Sequence, residues 1–348
     1  MNEILDFSVR ANPLGMPESI RNTLSGALAR GLGEPVDRSC RELRERIAQR
    51  HGAGAAQIAL SDCEDELILL LALTSRARRA LLLWPCPESY EKALAEAKIG
   101  VKKLKLPSSR HFHLAEGELR EALQGCDLLL MGNPAFPAPA LVPPNALLAE
   151  LDQWIADGGW LILDESAIDF TYGSVTNSLW SAVRREPRVA ILRSFTNYFA
   201  LNMLPFCYAV SNSTPWITEV RQRQREPALC GLTQSLGSAL ENLMPFRTQT
   251  TDFITNLMPK FIARLRRISG LKTFPTDANW VLCRLERGDI TAAEFAQKLR
   301  ERGIVIKTCV DGSYFTLSLK KAADTDRFIK SAREILMPKD SDKRLPPR

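Results

Sequence analysis

The sequence predicts an α/β fold: a large unit built on a mostly parallel sheet, followed by a smaller α+β unit. Three observations carry this. Helix and strand patterns alternate through the middle of the chain, as in repeated βα units. Asp127–Met131 and Trp160–Leu163 hold continuous apolar runs, as strands covered on both faces do. After about Met244 the alternation gives way to a long helix and short strands.

Taken in order, Arg38–Arg50 reads as a charged amphipathic helix and Ile58–Leu60 as a short strand. Glu64–Leu73 is a mostly apolar helix whose opening acids suit a helix N-terminus. Arg79–Leu83 is a strand running into Pro85 and Pro87, and Ser89–Lys98 a helix. Val101–Leu106 and Asp127–Met131 are strands, and Pro134–Pro144 is a proline-rich loop. Ala146–Asp157 is a helix stopped by Gly158-Gly159. Trp160–Leu163 is a buried strand ending at Asp164-Glu165, and Val189–Leu192 and Cys207–Val210 complete the set. Beyond it lie the helix Thr250–Ser269, the strand Ala278–Arg284, the helix Ala292–Arg302 and the strands Val305–Thr308 and Tyr314–Leu319. We expect an N-terminal arm over residues 1–30 packed with the small unit, a large domain over 31–243, a small one over 244–337, and a frayed, charged, proline-rich tail over 338–348.

Composition excludes several classes. With 45% hydrophobic and 25% charged residues in 348, the chain is that of a globular protein with ample core. A net charge of +6 is mild, and its basic residues are spread along segments such as Arg41–Arg50 and Arg221–Arg225, which read as solvated helix faces rather than a nucleic-acid surface. The longest apolar run, Leu67–Leu73, is far short of the ~20 residues of a membrane span. The start of the chain shows no signal pattern, and the eight cysteines lie far apart with no CxxC pair. Both features predict a cytoplasmic protein with reduced thiols and no metal site. His111 and His113 read as a surface loop for want of a third ligand nearby.

Four segments carry a resemblance. They are Asp6–Pro17 (Asp-Phe-Ser-Val-Arg-Ala-Asn-Pro-Leu-Gly-Met-Pro), Leu163–Phe170 (Leu-Asp-Glu-Ser-Ala-Ile-Asp-Phe), Leu192–Ala200 (Leu-Arg-Ser-Phe-Thr-Asn-Tyr-Phe-Ala) and Ala278-Asn279-Trp280. In these, and in their order, the chain resembles fold-type I enzymes that use pyridoxal phosphate (PLP), most nearly the threonine-phosphate decarboxylase and histidinol-phosphate aminotransferase branch. The resemblance implies the aminotransferase fold, with a seven-stranded-type sheet, and a homodimer.

It also implies a cofactor pocket in which this chain departs from the pattern. Asp164 matches the carboxylate that faces the pyridinium nitrogen, and Ser194 survives as a hydroxyl donor. The lysine of the Schiff base, however, aligns with Asn197, whose amide cannot condense with an aldehyde. The phosphate cradle reads Ser61-Asp62-Cys63-Glu64-Asp65-Glu66, and its carboxylates would repel a dianion. The cradle's arginine has become Pro205, in Leu204-Pro205-Phe206-Cys207-Tyr208, and Tyr208 is counted with it among the relic cofactor-pocket residues. The stacking aromatic aligns with Pro87, the asparagine for the phenolic oxygen with Phe136, and the tyrosine sent across the dimer with Glu34. In the substrate pocket Asn12 is kept, while the carboxylate-clamping arginine aligns with Phe315.

One buried bidentate pair lost from an anion site costs about 1.5–3 kcal/mol, and several losses together should abolish useful PLP affinity. The expectation is therefore a degenerate homologue with no cofactor, acting as a binding or partner protein, with a cobalamin-type or amino-acid-phosphate pathway as its setting. Asp164 then holds loop ends, and Asn197 fills the old lysine position as a hydrogen-bonding group. Cys63, Cys86 and Cys207 align near the pocket and read as small apolar residues rather than a thiol cluster. The alternatives are an active PLP-dependent decarboxylase or aminotransferase acting on an amino acid phosphate such as threonine phosphate or histidinol phosphate, an enzyme that uses the remodelled pocket for another reaction, and an inactive subunit paired with an active paralogue.

Overall fold

The computed structural model describes residues 4–31, 33, 35–240 and 243–337. The expectations placed on Glu34 and on the tail 338–348 lie outside the described residues. The strands are β1 (Leu5–Asp6), β2 (Ile58–Ser61), β3 (Arg79–Trp84), β4 (Gly100–Lys105), β5 (Leu128–Gly132), β6 (Trp160–Asp164), β7 (Val189–Ser194), β8 (Cys207–Ser211), β9 (Leu271–Thr273), β10 (Trp280–Leu285), β11 (Ile304–Val305), β12 (Lys307–Cys309) and β13 (Tyr314–Ser318). Seven of them form one sheet in the order β2-β8-β7-β6-β5-β3-β4. β3 through β7 run parallel, and β8 is antiparallel to both its neighbours.

The run Leu128–Met131 is buried throughout because both faces of the sheet are covered. Leu129, Met131, Leu161 and Leu163 join the larger core. Leu128, Leu130 and Ile162 pack beneath helices α3 (Glu64–Ser75) and α4 (Glu88–Glu96), labelled after α1 (Glu18–Arg30) and α2 (Arg41–His51). Each fully buried leucine contributes roughly 1.5–3 kcal/mol, so this alternation fixes which side chains reach which face. β9, β10, β12 and β13 make a second, antiparallel sheet.

Two differences from the sequence reading have clear causes. The segment Val305–Thr308, expected as one strand, divides in two. Ile304–Val305 pairs in parallel with Leu5–Asp6 of the arm, while Lys307–Cys309 turns to pair with β13. The long helix begins at Met244, not Thr250, and runs to Leu265. Pro245 permits the earlier start, since a first-turn proline lacks only an N–H that would have no helical partner. The arm is tied down further by Phe7, whose carbonyl accepts from the Ser318 amide (3.0 Å) and hydroxyl (2.7 Å).

Candidate functional site

At the C-terminal ends of β6 and β7, on the face covered by α3 and α4, the fold collects an unusual set of polar groups. Asp164 ends β6. Its Oδ2 accepts from the Tyr90 phenol at 2.6 Å and its Oδ1 from the Ser166 amide at 2.8 Å. Burial first, then the Asp164 charge, pushes the Tyr90 phenol well above its ordinary range, so it keeps its proton and acts as donor. Gly132 makes room for this pair: a Cβ there would lie 3.4 Å from the phenol oxygen and 3.3 Å from the Pro134 carbonyl.

Glu64, the first residue of α3, turns its carboxyl toward the same place. Its pKa is raised, by burial first and then by the Asp164 charge, while the Ser194 hydroxyl and the Arg10 guanidinium pull the other way. The helix N-terminus favours the carboxylate, but burial and the neighbouring Asp164 charge outweigh it and raise the pKa. Behind it the Cys207 thiol donates to the Ser61 carbonyl (3.1 Å) and is pushed well up by burial and by Glu64. Cys86 is pushed up to about 12 by burial. Neither is a ready thiolate, and Cys63 is exposed. Among the described residues, no group of three or more His, Cys, Asp or Glu side chains could hold a metal ion.

Asn197 lies in the turn that follows β7. Its carbonyl accepts from the Asn12 amide at 2.8 Å. The buried Asn12 side chain in turn donates to the Tyr198 carbonyl (3.1 Å) and the Thr250 hydroxyl (2.9 Å), joining arm, turn and long helix. Ser194, at the end of β7, is buried and accepts from the Thr196 amide at 3.2 Å. Pro205 is half-buried, and the next amide, that of Phe206, donates to the Thr196 hydroxyl at 2.9 Å.

Phe136 is held by charge and aromatic contact. The Arg10 guanidinium sits 4.4 Å over its ring and 4.9 Å from the Trp280 ring, and Lys307 Nζ lies 5.5 Å from Phe136. Pro87 begins α4 and lines a small apolar cavity of about 30 Å³ with Cys86, Tyr90, Met131 and Phe136.

Two residues expected here stand elsewhere. Tyr208 faces the opposite side of the sheet, because strand alternation gives the pocket side to its neighbour Cys207; its hydroxyl meets His51 Nε2 at 2.9 Å. Phe315 is fully buried against Phe295 (ring centroids 5.5 Å apart) in the core of the second sheet. Its neighbour Tyr314 takes the other face, against Phe112 and Phe274. The sequence reading in turn missed Tyr90, Arg10 and Lys307 as members of the site. The signal for Tyr90 was its place as the second residue of a predicted helix just after Pro85 and Pro87. Arg10 lay within the Asp6–Pro17 segment without being singled out, and no local pattern marked Lys307.

This architecture, with polar groups gathered at the carboxyl ends of parallel strands, defines a class of α/β protein that binds ligands at such ends. The chain belongs to the aminotransferase class I and II family, whose profile matches residues 2–328. It is 26% identical to the threonine-phosphate decarboxylase of Salmonella typhimurium, over 96% of this chain and 92% of that one. It is 27% identical to the adenosylcobalamin biosynthesis bifunctional protein CobDQ of Leptospira interrogans, over 81% of this chain but about a third (32%) of that protein's length. The crystal structure of the histidinol-phosphate aminotransferase from Clostridium acetobutylicum superposes with a TM-score of 0.86 at 23% identity, covering 95% of this chain and 99% of that one. That likeness establishes the fold, a fold-type I aminotransferase architecture.

Among the described residues, no helix is long and apolar enough to cross a membrane.

Proposed function

We propose that this chain is a degenerate member of its family that does not form the internal aldimine and serves as a homodimeric binding or partner protein in a biosynthetic pathway, with cobalamin assembly as the favoured setting. The observation that carries this reading is that the Glu64 carboxyl, at the start of α3, is near enough to feel both the Ser194 hydroxyl and the Asp164 charge. A dianionic phosphate brought to the start of α3 would meet this carboxyl. Ionised, Glu64 repels the phosphate; protonated, it still takes up the Ser194 hydroxyl.

Other residues support the same reading. Asn197, aligned with the Schiff-base lysine, offers no amine, and Pro205 no charge. Of the lysines near the arm, Lys307 lies against Phe136, and Lys320 Nζ donates to the Val9 carbonyl at 3.0 Å. Both Asp164 oxygens already hold internal donors, so that the aspartate works as a brace between β6 and α4. PLP therefore does not fit these residues well.

A second reading is favoured by one observation. Asp164 and Ser194 share one face of the sheet and keep their place in the family pattern, which suits an active PLP-dependent decarboxylase or aminotransferase acting on an amino acid phosphate. The two readings part in one assay: the purified chain is incubated with O-phosphothreonine or histidinol phosphate, with and without added PLP. No turnover above buffer in either case is expected. PLP-dependent turnover would establish the second reading.

A further inference from the structure

On the face of the sheet opposite Asp164 lies a cavity of about 430 Å³ that the proposed function does not use. Its walls include Arg50 at the end of α2, Trp180, Ser181 and Arg184 beside a short helix (Trp180–Val183), Arg193 on β7, and Arg247 in the first turns of the long helix. Among the described residues, no acidic side chain lines it. Behind the wall, Asp169 binds Arg193 at 2.7 Å and Arg247 at 2.8 Å, and Glu165 approaches Arg193 at 3.4 Å. Burial raises the Glu165 pKa against the pull of Arg193, while the two guanidinium groups hold the Asp169 pKa down; even with both carboxylates charged, four arginines face two acids. Among the described residues no carboxylate pairs with Arg50 or Arg184; Arg50 Nη1 donates to the Leu240 carbonyl at 2.8 Å. The cavity thus carries a surplus of positive charge. His51, on its wall, registers the same field: burial first, then Arg193 and Arg50, bring its pKa down to about 3.

Two donors in this cluster are unmet. Among the described residues, Arg193 Nε and Arg247 Nε are buried without a hydrogen-bond partner, and the Arg193 side chain is only 9% exposed. A buried donor left unmade costs about 1–3 kcal/mol. The guanidinium fork matches the paired oxygens of phosphate or carboxylate, and several forks at one cavity favour a doubly charged group. The volume exceeds that of a bare oxyanion and falls in the range of small-molecule sites.

We infer that the cavity walled by Arg50, Arg184, Arg193 and Arg247 is a binding site for the phosphate group of a small phosphorylated metabolite, separate from the Asp164 cluster. Trp180 supplies an apolar wall for the organic part; its indole is fixed by donation to the His51 carbonyl at 2.8 Å. The assignment is independent of whether the opposite face binds PLP.

The test is calorimetric titration of inorganic phosphate into the full chain, with chloride replacing phosphate at equal ionic strength as control. Arg50→Gln and Arg184→Gln are the variants, since Arg193 and Arg247 also hold buried ion pairs and their loss could unfold the chain. Saturable binding by the wild type, weakened tenfold or more in each variant and unchanged in Ser194→Ala, is the expected result. Absence of saturable binding overturns the site. So does binding that chloride matches, that survives both arginine changes, or that Ser194→Ala abolishes.

Discussion

The Tyr90 phenol stands 2.6 Å from the Asp164 carboxylate and donates to it, so that α4 is tied to the end of β6. This bond engages the one carboxylate that the family pattern keeps. Tyr90→Phe retains the ring and removes the donor. Loss of a hydrogen bond from a buried phenol to a half-buried charged acceptor should lower the free energy of unfolding by about 1–3 kcal/mol. Urea denaturation measures it; a change within about 0.3 kcal/mol would show that the contact has no energetic role.

Glu64 should make stability depend on pH. Its folded pKa lies above the unfolded value, so its contribution is fully present below about pH 4.5 and is lost as pH rises through the folded value. Glu64→Gln removes that titration. The variant should gain stability relative to wild type at pH 8 and match it more closely near pH 4. Denaturation curves at the two pH values check this, and an equal effect at both would contradict the raised pKa.

His51 acts in the other direction. Its folded pKa, near 3, is below the unfolded value of 6.5, so the neutral ring's contribution is present above 6.5 and lost as pH falls through the window to 3. In that window the wild type should lose up to about 1.4 kcal/mol per pH unit from this group alone. His51→Gln should flatten the acid limb there. An acid limb of unchanged slope would place the proton uptake elsewhere.

Restoring an amine tests whether the lysine is the only deficit. Asn197→Lys alone should trap little pyridoxal on borohydride reduction, because the Glu64 carboxyl still faces Ser194. Asn197→Lys combined with Glu64→Gly should trap more. Full trapping by the single variant would remove Glu64 from the account.

Much of the fold was legible because burial on both sheet faces writes itself as continuous apolar runs, as in Leu128–Met131 and Leu161–Leu163. The β11/β12 division was not, because it depends on Ile304–Val305 meeting Leu5–Asp6 across nearly the whole chain. Within recognisable segments the sequence marked Asp164, Ser194 and Glu64, which the structure brings together at one end of the sheet. Tyr208 and Phe315 were placed wrongly because a one-residue shift along a strand reverses the face, and a pattern match is no finer than that. Arg10 and Lys307 meet Phe136 only through tertiary packing, and the arginine cavity draws on residues from 50 to 247.

The most direct test is mass spectrometry of the wild-type chain after incubation with excess PLP and reduction with borohydride. The account predicts no stoichiometric pyridoxyl adduct at any lysine and no saturable aldimine absorbance. A single lysine carrying the adduct in nearly every molecule would contradict it.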